Sequence, residues 1–307
     1  MSQVLTLRVG GYAPIGSVHS DALDVFRNAV VEGTDGGVAV EVTWNIMDSG
    51  RPNTDLFEMV ESGELFMCYF STSYLGHRVP ELDILETPYL FTDLEQAHRA
   101  LDGALGAVLI DATRQRTGFE LLGFWENGFR HFTNRLRPVR QPADTRGMRV
   151  RLQPNQIHEE LIRSWGAEPV AVELSRGIEL IASLEVDAQE NPLANTVAYG
   201  VQRVHPFITM TAHLYGTRGL FANRAVVEGL PTDVEGVVRR SVGAAIAHQR
   251  TAAEAKEQSL RGELEQAGLV FEDLTDEEMA LFVQTSSPAI ELARHKLGEE
   301  LFAVTFG

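Results

Sequence analysis

Apolar and polar side chains alternate along "VLTLRV" and "VAVEVTW", placing Val38, Val40, Val42 and Trp44 on one face, the period of a half-buried strand. Between them Ser17 stands as a helix cap before Ala22, Val25, Phe26, Ala29 and Val30, which recur at helical spacing. A β-α-β opening requires a crossover and favours a parallel sheet. The alternation continues through a helix from about Thr54 to Ser62 and the strand "LFMCYF". Pro80, Pro88 and "PYLF" interrupt it, and helices in "DLEQAHRALDG" and "ALGAVLIDATRQR" lead to the strand "FELLGFW".

Near residue 126 the pattern restarts. "FRHFTN" and "MRVRL" read as strands and "NQIHEELIRSWG" as a helix capped by Asn155; the strand "EPVAVEL", a helix "SRGIELIAS" capped by Ser175 and the strand "EVDAQE" form a second β-α-β run. From "GLPTD" onward more than thirty residues pass without proline, with Val234, Val237, Val238, Val242, Ala245 and Ile246 as an early apolar stripe. At ~1.5 Å per residue such a helix is on the order of 50 Å long. One small domain does not need that length, so the helix is expected to tie two α/β domains together.

The chain's 307 residues suffice for two domains of ordinary size. Its net charge of −17 repels phosphate backbones and anionic lipid, which excludes general nucleic-acid or membrane-surface binding and requires any cationic site to be local. No window approaches eighteen apolar residues, so no membrane insertion is expected. The opening "MSQVLTLRVGGYAP" has neither a basic n-region nor an apolar h-region. The single cysteine, Cys68, lies in "LFMCYF" and reads as a core residue.

Familiar catalytic motifs fail one by one. "IHEELIR" has Ile162 where a zincin box needs its second histidine, so no metal is expected. "VGGYAP" lacks the lysine and third glycine of phosphate and dinucleotide loops, leaving a turn that exposes Tyr12 at the carboxyl end of the first strand. No G-x-S-x-G elbow occurs. Neither a cofactor nor a catalytic residue is indicated. "VDAQENP" gathers Asp187, Gln189, Glu190 and Asn191 at a strand end before a proline, a pattern that spacing alone reads as a polar turn. Arg130 and Arg151 each interrupt an apolar strand of this acidic chain. Strict alternation puts Arg149 on the same face as Arg151 and does not say which of the two borders a cleft.

Five ordered stretches carry a family resemblance: "VPELDILETPYLF", "FWENGFRHFTNRLRPV" with "PADTRGMRVRLQPN", "GAEPVAVELS", "EVDAQENPLANT" and "HLYGTRGLFAN". Through them nearly the whole chain resembles the DctP-type solute-binding proteins of tripartite ATP-independent periplasmic (TRAP) transporters. The resemblance implies a two-domain, type II periplasmic-binding-protein-like α/β fold, hinged, with the long helix shared by both domains. Residues 1–125 with about 212–250 are expected to form the first domain, residues 126–211 with about 251–307 the second, and a ligand cleft is expected between them. By the same resemblance Arg151 clamps a ligand carboxylate with two prongs, Arg130 assists it and Asn191 lines the cleft. Leu174 stands where relatives often carry an aromatic ring on the ligand, and Tyr12, Phe70 and Tyr74 of the first domain, with Tyr215, are candidate walls.

The implied protein is not an enzyme. It captures a small organic acid by hinge closure and hands it to the membrane subunits of a TRAP transporter, and monomers are usual in the family. The expected location is the periplasm, with the signal peptide removed or replaced; a native start at Met1 would make it cytoplasmic. A ligand sensor of the same fold feeding a signalling system is the alternative. Which carboxylate is bound stays open among dicarboxylates, 2-oxo acids, sugar acids and aromatic acids.

Overall fold

The computed structural model describes residues 4–306. In chain order its main elements are β1 (Leu5–Gly10), α1 (Val18–Gly33), β2 (Val38–Thr43), α2 (Asp55–Glu61), β3 (Met67–Ser71), α3 (Leu94–Asp102), α4 (Ala104–Arg116) and β4 (Phe119–Asn134). There follow β5 (Arg149–Leu152), α5 (Gln156–Ser164), β6 (Glu168–Ala171), α6 (Leu174–Ala182), β7 (Ala188–Asn191), α7 (Leu193–Ala198) and β8 (Phe207–Asn223). The chain closes with α8 (Arg224–Glu228), α9 (Thr232–Gln266), β9 (Val270–Glu272), α10 (Asp276–Thr285), α11 (Ser287–Leu297) and α12 (Glu299–Phe306).

Two compact units result. The first takes the chain up to Ser71, Gly106–Glu126 and Thr217–Glu254; the second takes Thr72–Leu105, Asn127–Gly216 and the chain from Ala255 on. The strands β4 and β8 and the 35-residue helix α9 each contribute residues to both, so the long proline-free stretch forms the shared helix expected of it.

In the first unit β1 pairs in parallel with β2 and β3, and β3 pairs antiparallel with β8. Ser17 caps α1 by accepting from the Ser20 amide, and Ala22, Leu23, Phe26 and Val30 of that helix are buried. The rings of Phe57, Phe70, Phe119 and Phe221 pack into one cluster. Large rings with tilted mutual geometry contribute burial and quadrupole attraction together.

In the second unit β5 pairs in parallel with β6 and β7, β7 pairs antiparallel with β4, and β9 runs parallel to the first residues of β8. Trp165 sits at the centre of a ring cluster with Phe132, His213 and Phe282, and its indole N–H donates to Ser286 Oγ at 3.0 Å. Asn155 caps α5, its Oδ1 accepting from Ile157 and His158, while its Nδ2 donates to buried Asp83 at 2.8 Å. Asn155→Ala is expected to cost about 2–5 kcal/mol, the sum of a lost cap and a buried hydrogen bond to a carboxylate. Denaturant unfolding of the two proteins checks it.

Three expectations require correction. Residues 72–105 belong to the second unit, not the first: Asp83 binds Lys296 of α11 at 2.6 Å, and Glu86 lies 2.7 Å from His158 of α5. Tyr74 therefore belongs to the second unit as well. "FELLGFW" and "FRHFTN" form one 16-residue strand, within which Gly128 takes φ +90°, a conformation that side-chain-bearing residues resist. Glu173, not Ser175, caps α6; its carboxylate accepts from the amides of Ser175 and Arg176, and Ser175 already lies inside the helix.

Candidate ligand-binding site

Of the side chains singled out in the sequence, Arg151, Gln189 and Asn191 come together in the second unit and Tyr12 and Phe70 in the first. In the second unit, the register of β5 on β7 sets Arg151 beside Gln189. Ladder partners point to one face and alternate residues return to it. Arg151, Gln189 and Asn191 thus share a face at the carboxyl ends of two parallel strands, the end at which open α/β sheets take their ligands.

Arg151 is only 2% exposed. Its Nη2 donates to the Val172 carbonyl at 3.0 Å, and its side chain lies against the backbone of α6 at Gly177. Burial pushes the neighbouring Tyr74 hydroxyl above its ordinary value, and the charge of Arg151 opposes that rise. Among the described residues Arg151 has no carboxylate partner. Arg149 differs: its side chain is 42% exposed and its Nε lies 3.2 Å from Asp187 Oδ2. Strand alternation leaves the two arginines equivalent, and the Asp187 carboxylate tells them apart.

Arg130 occupies the other face of the sheet. The antiparallel register pairs Phe132 with Glu190, so Arg130, two residues before Phe132, shares the face of Glu190. Its guanidinium takes that carboxylate with two prongs, Nε to Oε2 and Nη2 to Oε1, and Nη2 also donates to the Glu190 carbonyl at 2.8 Å. Burial would raise the Glu190 carboxyl, but Arg130 and His213 outweigh it and hold it well below the usual carboxylate range. Both members of the pair are 2% exposed on their side chains.

Asn191 is fixed by a chain of buried amides. Its Nδ2 donates to Gln189 at 3.2 Å, and Asn195 Nδ2 donates to Asn191 Oδ1 at 3.2 Å and to Asn127 Oδ1 at 3.0 Å. Leu174 is the buried first residue of α6. Tyr215 packs edge-on against Phe91, Phe129 and His98.

In the first unit the turn after β1 does not expose Tyr12, contrary to expectation: its ring packs on Tyr69 and Phe70 with centroids 5.2 and 4.8 Å away, and all three are buried. Arg218 sits opposite Ser71 at the carboxyl end of β3, its guanidinium 4.9 Å from the Tyr12 ring centre and 5.5 Å from that of Tyr69. Cation–π attraction of this kind strengthens on burial, and Arg218 is 1% exposed. Burial, and then the charge of Arg218, push His19 well below its ordinary value.

Arg218, Gly177, Asn127 and Asn195 are absent from the sequence-derived candidates. Arg218 carries the signal that marks Arg130 and Arg151, a lone arginine inside an apolar strand, in "YGTRGLFAN". The Cys68 thiol is buried and pushed well above its ordinary value, so it stays protonated and poor as a nucleophile. Among the described residues no group of three or more histidine, cysteine, aspartate or glutamate side chains is placed to hold a metal ion.

The family model for bacterial extracellular solute-binding proteins, family 7 (DctP), matches residues 9–296. The chain belongs to that family. Over 217 residues, 71% of this chain and 65% of the relative, it is 29% identical to the 2,3-diketo-L-gulonate-binding periplasmic protein YiaO of Escherichia coli, so the match spans slightly under two thirds of that protein. Over 286 residues it is 25% identical to the C4-dicarboxylate-binding periplasmic protein DctP of Rhodobacter capsulatus, covering 91% of this chain and 83% of the relative. Its fold matches the sugar acid binding protein DctPAm of Advenella mimigardefordensis, solved with galactonate, at a TM-score of 0.93 and 24% identity, covering 98% of this chain and 96% of that one. The two-unit α/β architecture is thus that of the family 7 solute-binding proteins. No helix among the described residues is long and apolar enough to cross a membrane.

Proposed function

We propose that this family 7 solute-binding protein captures a small organic acid in the periplasm and delivers it, unchanged, to the membrane component of a TRAP transporter. One observation carries the reading: Arg151 is a buried guanidinium with no carboxylate partner among the described residues. Desolvating a charge costs several kcal/mol unless a counter-charge offsets it. A ligand carboxylate supplies that counter-charge, matches the planar fork bidentately, and contributes roughly 1.5–3 kcal/mol per charge-assisted hydrogen bond.

Asn191 is the second polar partner, held ready by Gln189 and Asn195. Arg130 is already neutralised by Glu190 on the other face of the sheet, so its proposed part is to fix the strand that carries Asn191 and not to supply the ligand's counter-charge. Within the second unit Leu174, Tyr215 and Tyr74 are the proposed apolar and aromatic lining. Enclosure by hinge closure excludes water and strengthens the ionic contact. The ligands named for the three relatives, 2,3-diketo-L-gulonate, C4-dicarboxylates and galactonate, are all carboxylates. The first two support drawing this protein's ligand from the same class.

A thermal-shift panel of small carboxylates, neutral sugars and amines tests the proposal. A ligand at a hundred times its dissociation constant adds about 2.7 kcal/mol of stability. The expected hits are confined to carboxylates, and mass spectrometry after long incubation recovers each hit intact. Stabilisation by neutral sugars alone, or turnover of the bound acid, contradicts the reading.

A further inference from the structure

We propose that Gly177 is a positioning residue for the carboxylate anchor: α6 bears no side chain at this point so that the Arg151 guanidinium can lie against the helix backbone. The inference rests on the reading of Arg151 as that anchor. Gly177 sits inside α6, its amide donating to the Glu173 carbonyl at 2.9 Å, the ordinary helical bond. Its backbone is outside the left-handed region, so conformation does not call for glycine. In a helix interior glycine is disfavoured relative to alanine. Space is what calls for it.

A methyl group on Gly177 would overlap Arg151 Nε and lie 3.0 Å from both Cδ and Cζ. These atoms form the root and centre of the guanidinium, not its free tip, and they cannot give way without carrying the fork along. The backbone of Arg151 is itself pinned by β6 and β7, and its Nη2 is tied to Val172. The overlap is relieved by displacing or tilting the guanidinium, or by moving α6 away from it, and either change alters the fork's position. Hydrogen bonds weaken steeply with misalignment, so a bidentate contact suffers first.

A double-mutant cycle tests this with wild type, Gly177→Ala, Arg151→Ala and the double variant, each read by melting temperature and by calorimetric titration with galactonate and with succinate. Gly177→Ala in the wild-type background is expected to weaken binding at least tenfold and to leave the melting temperature unchanged or lower. In the Arg151→Ala background the same change meets no guanidinium, so the gain in helix propensity should raise the melting temperature by about 2 °C. Wild-type affinity in Gly177→Ala, or an equal fall in melting temperature in both backgrounds, overturns the proposal. Wild-type affinity in Arg151→Ala overturns the anchor reading and the proposal with it, a pattern distinct from the first. If Gly177→Ala alone does not fold, folding of the double variant supports the proposal and failure of both overturns it.

Discussion

Arg151→Lys is expected to weaken carboxylate binding at least tenfold, and Arg151→Ala by about a hundredfold or more. The lysine keeps the charge but presents a single ammonium, which cannot reproduce two parallel N–H donors in a plane. The alanine loses both. Two charge-assisted hydrogen bonds at roughly 1.5–3 kcal/mol each amount to about 3–6 kcal/mol, and each ~1.4 kcal/mol is tenfold in affinity. Burial sets the upper part of that range, because no solvent screens a side chain that is 2% exposed. Arg149→Ala is the informative control. Its guanidinium is 42% exposed and engaged by Asp187, and exposed pairs contribute 0–1 kcal/mol, so binding should stay at the wild-type level. Titration calorimetry on the three variants decides the matter; equal losses at Arg149 and Arg151 would show that the site reads overall positive charge and not the fork.

Acid is expected to destabilise the fold well above the range in which carboxylates titrate. Burial lowers His131 to about 3 and His205 to about 4, and it lowers His19 and His213 in the same sense. Each of these histidines is neutral when folded and titrates near ~6.5 when unfolded. Below that pH the unfolded chain binds protons that the folded chain refuses, so stability falls as pH falls, and it goes on falling until the folded-state value is reached. Between pH 6.5 and 5 a histidine of this kind removes about 2 kcal/mol. His131 and His205 together then remove about 4 kcal/mol, with His19 and His213 adding to it, from a total that for folded proteins is typically ~5–15 kcal/mol. Depressed carboxylates such as Glu190 extend the loss at lower pH. Urea unfolding at pH 7.5 and pH 5 should show the midpoint dropping sharply. A midpoint unchanged between the two would mean that these imidazoles accept protons inside the fold.

What the sequence made legible was local. Strand alternation, the caps Ser17 and Asn155 and the proline-free run of α9 each depend on residues within a few turns of one another, and each appears in the structure as its pattern predicts. What escaped depends on partners far away. The membership of residues 72–105 is fixed by Asp83 reaching Lys296, 213 positions on, and by Glu86 reaching His158. Arg149 and Arg151 share a strand face and separate only through Asp187 and the bare helix surface at Gly177. Arg130 shows the same limit, since nothing in its own strand announces the bidentate carboxylate of Glu190, 60 positions away. The cap of α6 failed for a smaller reason: Glu173 is an uncommon capping residue, and a serine two positions on has the higher propensity.

The central claim is that the protein recognises a carboxylate. The most direct measurement is titration calorimetry of the wild type with galactonate and succinate and, side by side, with galactonamide and succinamide, which keep the carbon skeletons but carry no charge. The account predicts that at least one acid binds and that its amide binds at least a hundredfold more weakly, the buried guanidinium being left without a counter-charge. An amide that binds as tightly as its acid would contradict it.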